Sequence, residues 1–137
     1  MFFNKKKSNE SNSYNLVKIA ALLIHAARID EKYSIEEEEI ISKTMLNLGA
    51  NQNELETIIK KAKQSEKNTH QILDFTKEIK KLQEKDKIKI IRSLWRIVYS
   101  NKDADIYETN LMRRLSGLLY IDSKTMGDIK DKINNKL

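Results

Sequence analysis

Apolar residues recur along this chain at intervals of three and four, with no long stretch that alternates in steps of two. That spacing predicts helices throughout. Leu16, Ile19, Ala20, Leu23 and Ala27 mark a first helix ending near Arg28, and the polar run RIDEKYS interrupts the pattern. Ser34 and Glu37 then stand three apart ahead of Ile40, Ile41, Met45 and Leu48, the signature of a capping box opening a second helix. Gly49 follows, where a C-terminal cap is expected. Asn51 with Glu54 predicts a third helix carrying Leu55, Ile58, Ile59 and Ala62, with a break at QSEKNTH. Ile72, Phe75, Thr76, Ile79 and Leu82 mark a fourth, entered from Asn68 or Thr69, and QEKDK predicts the next break. Ile88, Ile91, Leu94, Trp95 and Val98 define a fifth, and Leu111, Met112, Leu115, Leu118 and Leu119 a sixth. Asp122 or Ser123 caps a seventh with Met126, Ile129 and Ile133. The expected fold is all-α, a single domain over residues 13–137 behind a flexible basic tail over residues 1–12.

Sliding the chain against itself adds a relation between its halves. In the register that sets Leu23 on Leu94, Ser34 meets Asp105, Glu37 meets Glu108, Ile40 meets Leu111 and Leu48 meets Leu119. Asn51 likewise meets Asp122, and Ile58 meets Ile129. Caps and apolar faces agree in the same order although identities are sparse. Two pseudo-repeated halves are expected, each an apolar helix, an acidic turn, a capped helix and a third helix.

The composition narrows the chemistry. At 137 residues the chain is long enough for a real core, and it has no proline and three glycines. It has no cysteine, which excludes disulfides and thiolate sites and suits the reducing cytoplasm. The longest strongly apolar stretch, Ile19 to Ile24, is far too short to span a bilayer. The start MFFNKKK does not read as a signal peptide, and its two rings and three lysines can touch a membrane only transiently. A net charge of +6 and a pI near 9.4 invite a nucleic-acid reading. The lysines are interleaved with glutamates and only five basic residues are arginines, so nucleic acid is not the expected partner. Lys87, Lys89, Arg92 and Arg96 give one helix a basic side, either a solvated face or a contact for an acidic partner or anionic lipid.

The stretch NKDADIYETNLMRRL (101–115) poses the sharpest chemical question. Asn101, Asp103 and Asp105 alternate as the front of a calcium loop does, but Ile106 and Met112 stand where that loop needs glycine and glutamate. The capping reading suits both halves: Ser34 and Asp105 accept from free amides, and Glu37 and Glu108 reach back. It leaves Asp30, four residues before its cap, unexplained. Two such turns brought together would gather several carboxylates, an oxygen-only set suited to Mg²⁺ or Ca²⁺. His25 reads as a helix-face residue with a local hydrogen bond, and Trp95 as core; Tyr99 and Tyr107 flank the second turn as half-buried packing. No nucleophile elbow, phosphate loop or zinc-ligand spacing occurs, and no enzyme is expected.

The segments ALLIHAARIDEKYSIEEEEII (21–41) and LWRIVYSNKDADIYETNLMRRLSGLL (94–119) together resemble the tellurite-resistance TerB-like family, in particular its stand-alone bacterial members. The resemblance covers residues 16–133. It implies an all-helical domain of two halves, acidic turns proposed to bind a metal ion, association with stress-response or membrane-linked complexes, and no established catalytic activity. Carried over by position, it implies a metal site of Asp30, Glu37, Asp105 and Glu108, with Asn101 standing where the family has aspartate. Glu31 and Lys102 occupy the family's glycine positions. The resulting expectation is a cytoplasmic, non-enzymatic interaction module with protein partners, peripheral at the inner membrane, and a divalent cation at its acidic turns. The alternative is a basic adaptor for nucleic acid or the anionic membrane surface.

Overall fold

The computed structural model describes residues 16–28, 33–68, 72–100 and 106–135, without the side chains of residues 106–109 and 135. The expected tail over residues 1–12 lies outside the described residues. Among the described residues the chain forms seven helices and no strand. They are α1 (16–27), α2 (Ile35–Asn47), α3 (Gln52–Asn68), α4 (Leu73–Ile79), α5 (Glu84–Ser100), α6 (Ile106–Leu118) and α7 (Ser123–Asn135).

Two helices form the centre. In α1, Ala20, Ala21, Leu22, Leu23 and Ile24 are all fully buried, so the middle of this helix is enclosed, while Lys18 and His25 on its outer side stay partly exposed. The spacing of Leu16, Ile19, Ala20, Leu23 and Ala27 predicts one buried face; Ala21 and Leu22 show that burial extends well beyond it. Each fully buried leucine or isoleucine contributes about 1.5–3 kcal/mol relative to exposure. The other central helix is α5, which buries Ile90, Ile91, Leu94, Trp95, Ile97 and Val98 and packs against α2, α6 and α7. At its crossing with α2 the hydroxyls of Thr44 and Ser93 meet in an otherwise apolar contact. On the outside, α3 packs on α2 and α4 on α6.

The local chemistry sets most boundaries. Ser34 is extended at φ −89°, ψ 162°, and its hydroxyl accepts the Glu37 N–H at 3.1 Å while the Glu37 carboxylate accepts the Ser34 N–H at 2.9 Å. Asp122 caps α7 by accepting the Thr125 N–H at 2.7 Å, a bond that holds its carboxyl below the usual range. In the register of Leu23 on Leu94, α2 and α6 coincide at both ends and α3 and α7 begin together. The reversals after α2 and α6 share a hydrogen-bond pattern. The Ala50 N–H donates to Met45 O at 3.0 Å, and the Ile121 N–H donates to Ser116 O at 3.0 Å. Both turns pass through positive φ, at Gly49 (107°) and at Tyr120 (57°).

Three expected boundaries are corrected. The helix α3 does not break at QSEKNTH but continues through Asn68. Those residues include no glycine or proline, and Glu66 within them is held by Arg28 of the α1–α2 turn. Of QEKDK only Gln83 lies in the break, because α5 begins at Glu84 and places Glu84 and Asp86 in its first turn, where negative charge is favoured. The short α4 starts at Leu73, after Ile72 and with no side-chain cap, rather than from Asn68 or Thr69.

Candidate functional site

The first acidic turn is bounded by the end of α1, the start of α2 and the last turns of α3. Glu37 is buried at 4% exposure, its position fixed by the reciprocal bonds with Ser34. Around it the charged side chains are engaged with one another. The guanidinium of Arg28 donates to Glu66 at 2.9 Å, and His25 Nδ1 lies 3.5 Å from the other oxygen of the same carboxylate. Lys63 reaches across to Glu38 at 3.0 Å. His25 therefore faces a tertiary partner on α3, one that its expected local hydrogen bond does not include.

Tyr33 occupies the middle of this cluster. Its ring lies 5.7 Å from the Arg28 guanidinium carbon and 5.3 Å from the Lys63 ammonium, so cations flank it from the end of α1 and from α3. Its hydroxyl is buried without a hydrogen-bond partner among the described residues. Burial, and then the neighbouring Glu38, push its pKa well above the usual phenolic value, with Arg28 opposing and Glu37 adding to the rise. Sequence reasoning missed this cluster. Its one visible trace is spacing: His25 with Arg28, and Lys63 with Glu66, each share a helix face.

Of the expected metal ligands, Glu37 is the one whose side chain is described. Asp30, Asn101 and Asp105 lie outside the described residues, as does the side chain of Glu108. The backbone places Glu108 third in α6, the position Glu37 holds in α2. Among the described residues no group of three or more acidic or histidine side chains gathers to hold a metal.

The second turn is flanked by aromatic packing. Trp95 is buried, donates its indole N–H to the Met126 sulfur at 3.3 Å and stacks on Tyr99 at 5.8 Å. Burial, and then Asp131, raise the Tyr99 pKa. The Tyr107 side chain lies outside the described residues. The basic side of α5 is smaller than its sequence implies. Lys87 donates to Leu119 O at 3.2 Å and Lys89 lies 4.0 Å from Asp86, while Arg92 and Arg96 are exposed together with Lys85 nearer the helix start. No described helix is long and apolar enough to cross a membrane.

A family model described as "Tellurite resistance protein TerB" matches residues 16–131. No curated protein and no solved structure gives a significant match. The matched region runs from the buried α1 through both acidic turns into α7, the seven helices described above. The chain belongs to the TerB family.

Proposed function

We propose that the chain is a non-enzymatic interaction module working in a stress-response setting, with a divalent cation, Mg²⁺ or Ca²⁺, held between its two acidic turns. The observation that carries this reading is Glu37, a buried carboxylate at a helix N-terminus whose one oxygen is oriented by the Ser34 amide. Ligating carboxylates are commonly held by such a bond, and the partly positive helix end favours an anion there. Glu108, third in α6, supports a matching ligand from the second turn. With Asp30, Asp105 and Asn101 the donor set is oxygen only, which suits a hard cation. The bound ion supplies charge neutralisation that lets carboxylates from separate turns share one point. The engagement of Glu66 with His25 and Arg28, and of Glu38 with Lys63, supports a binding role over proton transfer. The family's name ties it to tellurite resistance, and a protein partner in the cytoplasm belongs to the same proposal.

Calorimetric titration with Mg²⁺ and Ca²⁺ tests it. Wild type binds weakly, Glu37→Gln abolishes binding, and Asn101→Asp tightens it by adding an anionic ligand. Absence of heat in all three, with Ser34→Ala lowering stability by about 1 kcal/mol, reduces the turn to a helix start.

One observation favours a second reading, a basic adaptor for an anionic surface. Tyr120 is 74% exposed, with the ammoniums of Lys80 and Lys87 5.8 and 5.9 Å from its ring. Co-sedimentation with anionic vesicles, and duplex DNA binding measured across salt, test it: association lost at physiological salt removes this reading.

A further inference from the structure

A groove of about 780 Å³ runs between α2 and α3, away from the buried centre. The two helices are antiparallel, joined by the short turn after Leu48, and the Glu38–Lys63 ion pair sets the start of α2 level with the end of α3. Ile35, 78% exposed, and Leu46, 37% exposed, stand at opposite ends of the α2 wall. Leu55 and the buried Ile59 line the α3 wall. Large aliphatic side chains are thus presented along a concave face about 20 Å long, at 1.5 Å per residue over α2.

The charges on the two walls are opposite at each end. Along α2 the order is acidic and then basic, Glu39 and then Lys43. At matching levels along α3 it is basic and then acidic, Lys60 and then Glu56. All four are exposed and make no ion pair among the described residues. A two-fold axis running along the groove carries α2 of one copy over α3 of another at the same level. Such an axis sets Glu39 against the second copy's Lys60 and Lys43 against the second copy's Glu56, each contact made twice. The same axis brings Ile35 and Leu46 onto the second copy's α3 wall, beside Leu55 and Ile59.

We infer that this groove is the interface of a symmetric homodimer, in which α2 and α3 of two copies form a four-helix layer. The inference is independent of the cation reading, since none of the interface residues is a proposed ligand.

Sedimentation velocity on the full chain, from micromolar to millimolar concentration, tests it through charge reversal. Wild type shifts from monomer to dimer. Glu39→Lys and Lys60→Glu each weaken self-association by roughly tenfold, because each reversal creates two like-charge contacts. An equimolar mixture of the two variants recovers wild-type association as a heterodimer, since every 39–60 contact again joins opposite charges. That recovery distinguishes contact between copies from repulsion across one chain's own groove. Both positions are exposed, and far-ultraviolet circular dichroism checks that each variant is folded; Lys43→Glu with Glu56→Lys serves as a second pair. A wild type that stays monomeric overturns the inference and leaves the groove to a helix of another protein. A dimer indifferent to both reversals, or variants whose mixture fails to recover, overturns it equally.

Discussion

Replacing Thr44 with valine tests the polar crossing of α2 and α5. Thr44 and Ser93 are 4% and 3% exposed, and their hydroxyls meet each other. Each also meets a carbonyl of its own helix, Ile40 O at 2.7 Å and Lys89 O at 3.0 Å. Two hydroxyl protons serve these three contacts, so one hydroxyl donates within its helix while the other donates across. Thr44→Val removes the bond across but leaves Ser93 free to donate to Lys89 O. No buried donor is orphaned, and the expected loss is that of one net hydrogen bond, about 1 kcal/mol. Ser93→Ala has a similar expected effect, since Thr44 keeps Ile40 O. The shared bond can be lost once only, so the double variant should fall short of the sum by about 0.5–1 kcal/mol. Urea denaturation of the four proteins measures this directly, and each single variant should lower Tm by about 4 °C for a chain of this size. Strictly additive losses would refute the shared bond. A loss above about 3 kcal/mol for Thr44→Val alone would refute the claim that Ser93 stays satisfied.

Two further perturbations probe the turns. Gly49→Ala should destabilise by about 1–2 kcal/mol in urea, because φ of 107° is disfavoured for alanine while nothing lies within 4 Å of the added methyl; an unchanged midpoint would contradict the strain argument. Tyr33 ionises at an ordinary value near 10 in the unfolded chain and higher in the folded one, so the folded state holds the proton more tightly. Its contribution is therefore complete below pH 10 and declines as pH rises above it. Tyr33→Phe should flatten that alkaline loss and leave neutral-pH stability equal or higher, since the buried hydroxyl has no partner there. A parallel alkaline decline in both proteins would show that other groups cause it.

The sequence made helix starts legible wherever the deciding interaction is local. Ser34 with Glu37 and Asp122 with Thr125 act within three residues, so a short window contains both donor and acceptor. Gly49 was readable for the same reason, since a left-handed turn is a property of one residue. The extension of α3 was not readable, because Glu66 is held by Arg28 from the distant α1–α2 turn. Tyr33 shows the same limit within the candidate site: its partners come from α1, α2 and α3, and no spacing along the chain announces that meeting. The wide burial of α1 also depends on neighbours, since Ala21 and Leu22 are apolar on a side that a one-sided pattern assigns to solvent.

That burial bears on how the chain is made. Among the described helices the one with the most enclosed run comes first, and α5, the other central helix, begins only at Glu84. At ribosomal elongation rates, on the order of several seconds pass between synthesis of α1 and arrival of α5. Through that interval the run from Ala20 to Ile24 has no completed core to enter. A nascent segment apolar on every face is what holdase chaperones bind, so the centre of the folded domain is also its most exposed liability during translation.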